Sequence, residues 1–388
     1  ACLPKLSAYS TEMGQHKGLF KAYQAIAASD DYALLDTAQK KIIQNALRSF
    51  RLSGVDLDAE KKARYKEISL ELSRLASKYE ENLLDATNAW QKLINKKSDL
   101  AGLPESALQQ ARQTAKQEGK KGWMLTLQFP SYIAVMTYAD DRQLRADMYK
   151  AFSTRASELG SNSDWDNTEI MEQTIALRHE KAQLLGFNNY AELSLATKMA
   201  DSTSEVTDFL EELAEKSLPQ ARKDLAELAE FVQQQYAVTN LHTWDAGYYS
   251  EKMRQYAYDL SQEEVKQYFP APKVLQGLFN VVEKLYGLNI SELDNIDAWH
   301  KDVRFFQIKD KAGELRGKFY IDLYARPHKR GGAWMDDCVG RKKTGDVIQI
   351  PVAYLTCNFT PPAGNDPALL SHDEVLTLFH EFGHGLQH

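Results

Sequence analysis

Ser371-His372-Asp373-Glu374-Val375-Leu376-Thr377-Leu378-Phe379-His380-Glu381-Phe382-Gly383-His384-Gly385-Leu386-Gln387-His388 is the stretch on which the rest of the chain is read. Ser371 and Glu374, three apart and just ahead of an apolar run, form a capping-box pair, so a helix is expected to open at Ser371. On a helix turning about 100° per residue, Val375, Leu378, Phe379, Phe382 and Leu386 share one apolar stripe, and His380 and His384 point about 160° away from its centre.

Histidines four apart on a helix have Cβ atoms about 5–6 Å apart, close enough for both imidazoles to meet one Zn²⁺ at about 2.0–2.1 Å. Glu381, rotated by about 100° from His380, cannot comfortably share that metal, but it reaches a water in the open coordination position. His380 and His384 are therefore candidate zinc ligands, and Glu381 is the candidate general base for metal-assisted hydrolysis of an amide. Gly383 and Gly385 each cost about 1 kcal/mol in a helix interior relative to alanine, which predicts that another element approaches this backbone closely.

A catalytic zinc needs three protein ligands and an open position. His388 lies on nearly the same face as His380 but about 12 Å further along the axis, too far to close the same shell. Gln387 also breaks the extended pattern that would supply a third histidine. A glutamate beyond His388 is the remaining option.

Working back from the helix, the runs at 303–309, 316–324 and 351–359 are short and rich in β-branched and aromatic residues, so a small sheet is expected just before it. Pro351 opens the last run, as suits a strand start, most often on an exposed edge. Earlier in the chain, helices are signalled at about 36–52, 105–117, 141–157, 165–185, 204–235 and 271–287. From 57 to 94, Tyr65, Ile68, Leu72, Leu75, Tyr79, Leu83, Ala86, Trp90 and Leu93 recur at spacings of three and four, which predicts one long amphipathic helix. The chain divides on this pattern into a mostly helical part, 1–290, and a sheet-plus-helix part, 291–388.

Gly (20) and Pro (11) supply about 8% of the 388 residues, against about 12% in average chains, which agrees with a mainly α protein. No apolar run reaches the roughly 18 residues of a membrane span, and a net charge of −7 gives no basic footprint for nucleic acid. Three cysteines without CxxC spacing point to a reducing compartment, with cytoplasm expected. The chain starts at Ala1 instead of Met and stops inside a continuing helix, so it reads as an internal piece of a longer protein.

Other residues carry weaker signals. Asp336 and Asp337 beside Cys338 read as a solvated loop without a metal, and Gly331 and Gly332 as a loop near the cleft. His179, His242, His300 and His328 have no ligand-spaced partner. The residues alone leave open a helical protein that binds peptides or partners without catalysis, in which the HExxH pattern is vestigial.

Four stretches narrow this further. HDEVLTLFHEFGHGLQH (372–388), RGGAWMDDC (330–338), PVAYLTCNF (351–359) and WDAGYYSEK (244–252) together resemble the thimet oligopeptidase family of zinc peptidases, and the resemblance runs along essentially the whole chain. It implies a zincin-like, mainly α fold of two lobes flanking a channel, with a small sheet next to the active-site helix. It also implies zinc as cofactor and short unstructured peptides as substrates. His380 and His384 match the family's zinc histidines and Glu381 its catalytic glutamate, and strand 351–359 becomes a candidate for pairing with the substrate backbone. In the family the third ligand is a glutamate on a helix beyond this motif, so the resemblance implies that these 388 residues lack the third zinc ligand.

Overall fold

Helix signals in the sequence become helices with identifiable caps. The computed structural model describes residues 2–294, 296–362 and 366–388. Six expected helices are present within a few residues of their predicted ends, at Thr37–Leu52, Glu105–Gln117, Arg142–Ser153, Thr168–Leu184, α2 (Thr203–Tyr236) and α3 (Ala271–Tyr286). Helices that periodicity does not mark include Leu3–Gly14, Lys17–Ala27, Phe129–Tyr138 and Thr243–Tyr258. The last contains the 244–252 stretch and is fixed by Asp245, which is fully buried and bonded to Arg142 and Arg145. None of the described helices is long and apolar enough to cross a membrane.

The long helix expected over 57–94 is shorter. It runs as α1 (Ala59–Ala89), and Gln91–Ile94 is a strand paired antiparallel with Trp123–Thr126. The stripe is real as far as Tyr65, Ile68 and Leu75, which are buried. Its last members serve another purpose: Trp90 packs against a separate core built around Leu100, Leu108, Leu125 and Val135. Helical spacing continued by coincidence into a segment whose backbone is satisfied by a partner strand.

The chain forms two compact units. One comprises 1–83 and 156–224, and the other 84–155 and 225–388. The boundary expected at 290 falls inside the second unit, because α3, just before it, shares a core with the strands just after it.

That core holds the five-stranded sheet of β1 (Asn289–Glu292), β2 (Arg304–Lys309), β3 (Leu315–Tyr324), β4 (Trp334–Val339) and β5 (Val352–Phe359), in the order β1-β2-β3-β5-β4. β3 and β5 run parallel, with Lys318 opposite Val352 and Tyr320 opposite Tyr354, and the other pairs are antiparallel. Phe306, Phe319, Ile321, Leu355 and Cys357 point to one face, where Leu275 and Leu278 of α3 and Leu378 and Phe382 of the final helix pack on them.

Two expectations about this sheet are corrected. The 336–338 segment is strand and not loop: Asp336 and Asp337 lie in β4, at the sheet's edge. Edge strands carry charge to discourage pairing with other chains, and that charge erased the hydrophobic signal. Pro351 does not mark an edge, since β5 is paired on both sides and its backbone is not free to pair with a substrate. Proline is tolerated because it stands just before β5, where its carbonyl still accepts from Lys318 N at 2.9 Å.

Candidate active site

The final helix, α4 (His372–Gln387), begins where the capping box placed it. Ser371 Oγ accepts from Glu374 N at 3.1 Å, and Glu374 Oε2 accepts from Ser371 N at 2.7 Å. The other Glu374 oxygen accepts from Thr360 N at 2.9 Å, just past the end of β5, so one carboxylate ties the helix start to the sheet. Leu378 and Phe382 are buried in the core, with Val375 and Leu386 packed beside them, while Phe379 stays 37% exposed at the stripe's margin.

Anchored in this way, α4 turns His380 and His384 outward, where both are exposed. Their Nε2 atoms converge to 3.1 Å, with ring planes at 86°. Two nitrogens each about 2.0–2.1 Å from a tetrahedral ion are about 3.3–3.4 Å apart, so the pair fits two corners of a zinc shell with little adjustment. Among the described residues no group of three His, Cys, Asp or Glu side chains could hold a metal. His388 lies elsewhere, its Nε2 3.0 Å from the Val339 carbonyl oxygen on β4.

Glu381, between the two histidines, is 8% exposed. It lies close enough to Cys357 of β5 to act on it: burial first, and then the Glu381 carboxylate, push the Cys357 thiol up to about 12. A thiol held neutral in this way is a small core side chain and a poor metal ligand. The glycines divide. A Cβ at Gly385 would meet Leu355 Cδ2 at 2.9 Å, the close approach that the sequence predicts, whereas one at Gly383 would meet nothing within 4 Å.

The other singled-out histidines have local roles. His242 stacks on Trp244 with ring centroids 4.4 Å apart, and His300 faces Asp302 at 3.7 Å. His328 sits at a φ of +63° in the segment between β3 and β4. Sequence reasoning missed the Asp322 cluster on β3. Asp322 is 3% exposed and accepts from Arg326, Lys329 and Trp299. The aspartate inside the apolar run FYIDLY was its only sequence signal.

A capped helix that brings two imidazoles four residues apart to one point, with a glutamate following the first, is the arrangement of the HExxH motif. Residues 135–388 match the family described as peptidase family M3, and residues 2–62 match the neurolysin/thimet oligopeptidase N-terminal domain. The chain belongs to peptidase family M3, a family of zinc metallopeptidases.

Among curated relatives, it is 54% identical to oligopeptidase A of Haemophilus influenzae over 389 residues and 54% identical to oligopeptidase A of Escherichia coli over 388. Both alignments cover 100% of this chain but 57% of the relative, so the chain spans somewhat over half the length of these proteins. A solved structure of PZ peptidase A with an inhibitor has the same fold, with a TM-score of 0.52 at 16% identity over 98% of this chain and 51% of that one.

Proposed function

We propose that this chain carries the catalytic helix of a zinc-dependent endopeptidase of the oligopeptidase type, which hydrolyses peptide bonds in short peptides. The observation that carries this reading is the 3.1 Å convergence of His380 and His384 on the helix that also bears Glu381. His380 and His384 would hold the metal through Nε2, and a glutamate beyond His388 would be the third ligand, as the resemblance implies. Zinc, when bound, supplies a Lewis acid that brings the pKa of a water toward about 7.

The remaining steps belong to the chain. Glu381 takes the proton from the attacking water and passes it to the leaving amine. Leu378 and Phe382, locked in the core, fix the helix rotation and therefore the directions of both imidazoles and of the carboxylate. With β5 paired on both sides, the strand that can take a substrate backbone is β4, whose outer edge has no partner strand among the described residues and which packs beside α4. The three free cysteines, two of them exposed, suit a reducing compartment, and we place the protein in the cytoplasm.

Chelation tests the metal requirement. In the enzyme extended past His388, cleavage of an internally quenched peptide is expected to fall to background after dialysis against a zinc chelator and to return with stoichiometric Zn²⁺. Cleavage that survives chelation would overturn the proposal.

A further inference from the structure

The sheet face opposite α4 carries an aromatic cluster to which the proposed mechanism gives no part. Strand alternation sends Phe306, Phe319 and Leu355 into the core and turns Phe305, Tyr320 and Tyr354 the other way, and Trp299 joins them from the segment before β2. The Trp299 ring centroid is 5.3 Å from that of Tyr320 and 5.5 Å from that of Tyr354, and the two tyrosines are 5.5 Å apart. Phe305 stacks against Tyr320 at 4.1 Å. The three rings, with Asp297 and Ala298, line a cavity of about 360 Å³.

Two of the rings are held by hydrogen bonds: Trp299 Nε1–H donates to Asp322 Oδ2 at 3.0 Å, and the Tyr320 hydroxyl donates to the Asp297 carbonyl at 3.5 Å. Rings clustered only for packing would be buried, yet Trp299 remains 53% exposed beside the cavity. The arrangement is organised in advance and still open.

Carboxylates flank it, and the nearby cations Arg326 and Lys329 are already taken up by Asp322. The exposed Asp297 lines the cavity, and Asp336 of β4 is the direct neighbour of Tyr354 across the strand pair. Carboxylates and ring faces both attract a cation. A cation centred about 4–5 Å from all three ring centroids would sit about 3 Å above their plane, within the roughly 6 Å over which such contacts count. On β4 itself the chain already makes one such contact, with the Arg330 guanidinium 5.3 Å from the Trp334 ring centroid.

We propose that this cavity binds the cationic side chain of an arginine or lysine in an extended peptide, at a site separate from the catalytic helix. The proposal rests on the far face of the sheet and stands whether or not Glu381 is catalytic.

The test uses the indole N–H resonances of the six tryptophans in ¹⁵N-labelled protein, with Trp299 assigned through Trp299→Phe. N-acetyl-arginine methylamide is expected to shift the Trp299 resonance in a saturable way, while the norleucine and glutamate analogues leave it unmoved. Tyr354→Leu and Asp297→Asn should each weaken the arginine interaction about two- to five-fold. Asp297 is exposed, so its replacement keeps the fold even if the tyrosine variant does not. An unmoved Trp299 resonance, an equal response to norleucine, or unchanged arginine affinity in Asp297→Asn would overturn the proposal.

Discussion

Replacing Glu381 by Gln is expected to lower kcat for peptide cleavage by about 10²–10⁴-fold in the enzyme extended past His388, the range that a general acid–base group contributes. Glutamine keeps the size and the hydrogen-bonding reach of the side chain but cannot take a proton from water. Zinc content should not change, because His380 and His384 are untouched and keep their convergence. Stability should change little, since the helix is held by Leu378, Phe382 and the Glu374 cap and not by Glu381. Steady-state kinetics alongside elemental zinc analysis separate the possibilities. Turnover within two-fold of the parent would remove Glu381 from the mechanism, and loss of zinc together with activity would make it a ligand.

Asp322→Asn carries the second large effect, a loss of about 3–5 kcal/mol in unfolding free energy near neutral pH. Burial pushes the Asp322 carboxyl up, but hydrogen bonds from Arg326, Lys329 and Trp299 outweigh it and hold the group at about 2. Lys329 Nζ is 2.8 Å from Asp322 Oδ1 and 2.9 Å from the Tyr324 carbonyl oxygen. Its own pKa is pushed down, chiefly by burial, with Asp322 offsetting part of the cost. Removing the carboxylate leaves a buried ammonium without its counter-ion, which is why the cost exceeds that of one hydrogen bond.

The folded pKa of Asp322 lies below its unfolded value of about 3.9, so the stabilisation is present above about pH 4 and is lost as pH falls toward about 2. A drop of roughly two units corresponds to about 2–3 kcal/mol over that window. Urea unfolding of both proteins at pH 7 and pH 3 checks both statements: the gap between them should narrow on acidification. A loss below about 1 kcal/mol at pH 7 would mean that the cluster does not hold this part of the sheet.

The sequence disclosed those parts of the molecule whose physics is local. The capping box, the apolar stripe of α4 and the outward direction of its histidines depend on residues within two turns of one another, and a single helix suffices to read them. β4 was missed because an edge strand suppresses the hydrophobic alternation that would reveal it. The end of α1 was overrun because Trp90 and Leu93 continue the helical spacing, although Trp90 packs on a different core and Leu93 stands exposed on a strand.

The aromatic site was legible in part. Phe305, Tyr320 and Tyr354 each stand at an alternating position of a run read as strand, but only the register of β2, β3 and β5 shows that they share a face. No local signal announces that Trp299, outside any strand, completes the set.

The central claim is that His380 and His384 are the protein's zinc ligands. The most direct measurement is zinc per chain by elemental analysis, made on the 388-residue chain, on a chain extended through about 50 further residues, and on His384→Ala in the extended form. One zinc in the extended chain, none in His384→Ala and little in the 388-residue chain is the predicted result. Undiminished zinc in His384→Ala, or no zinc in any of the three, would contradict the assignment.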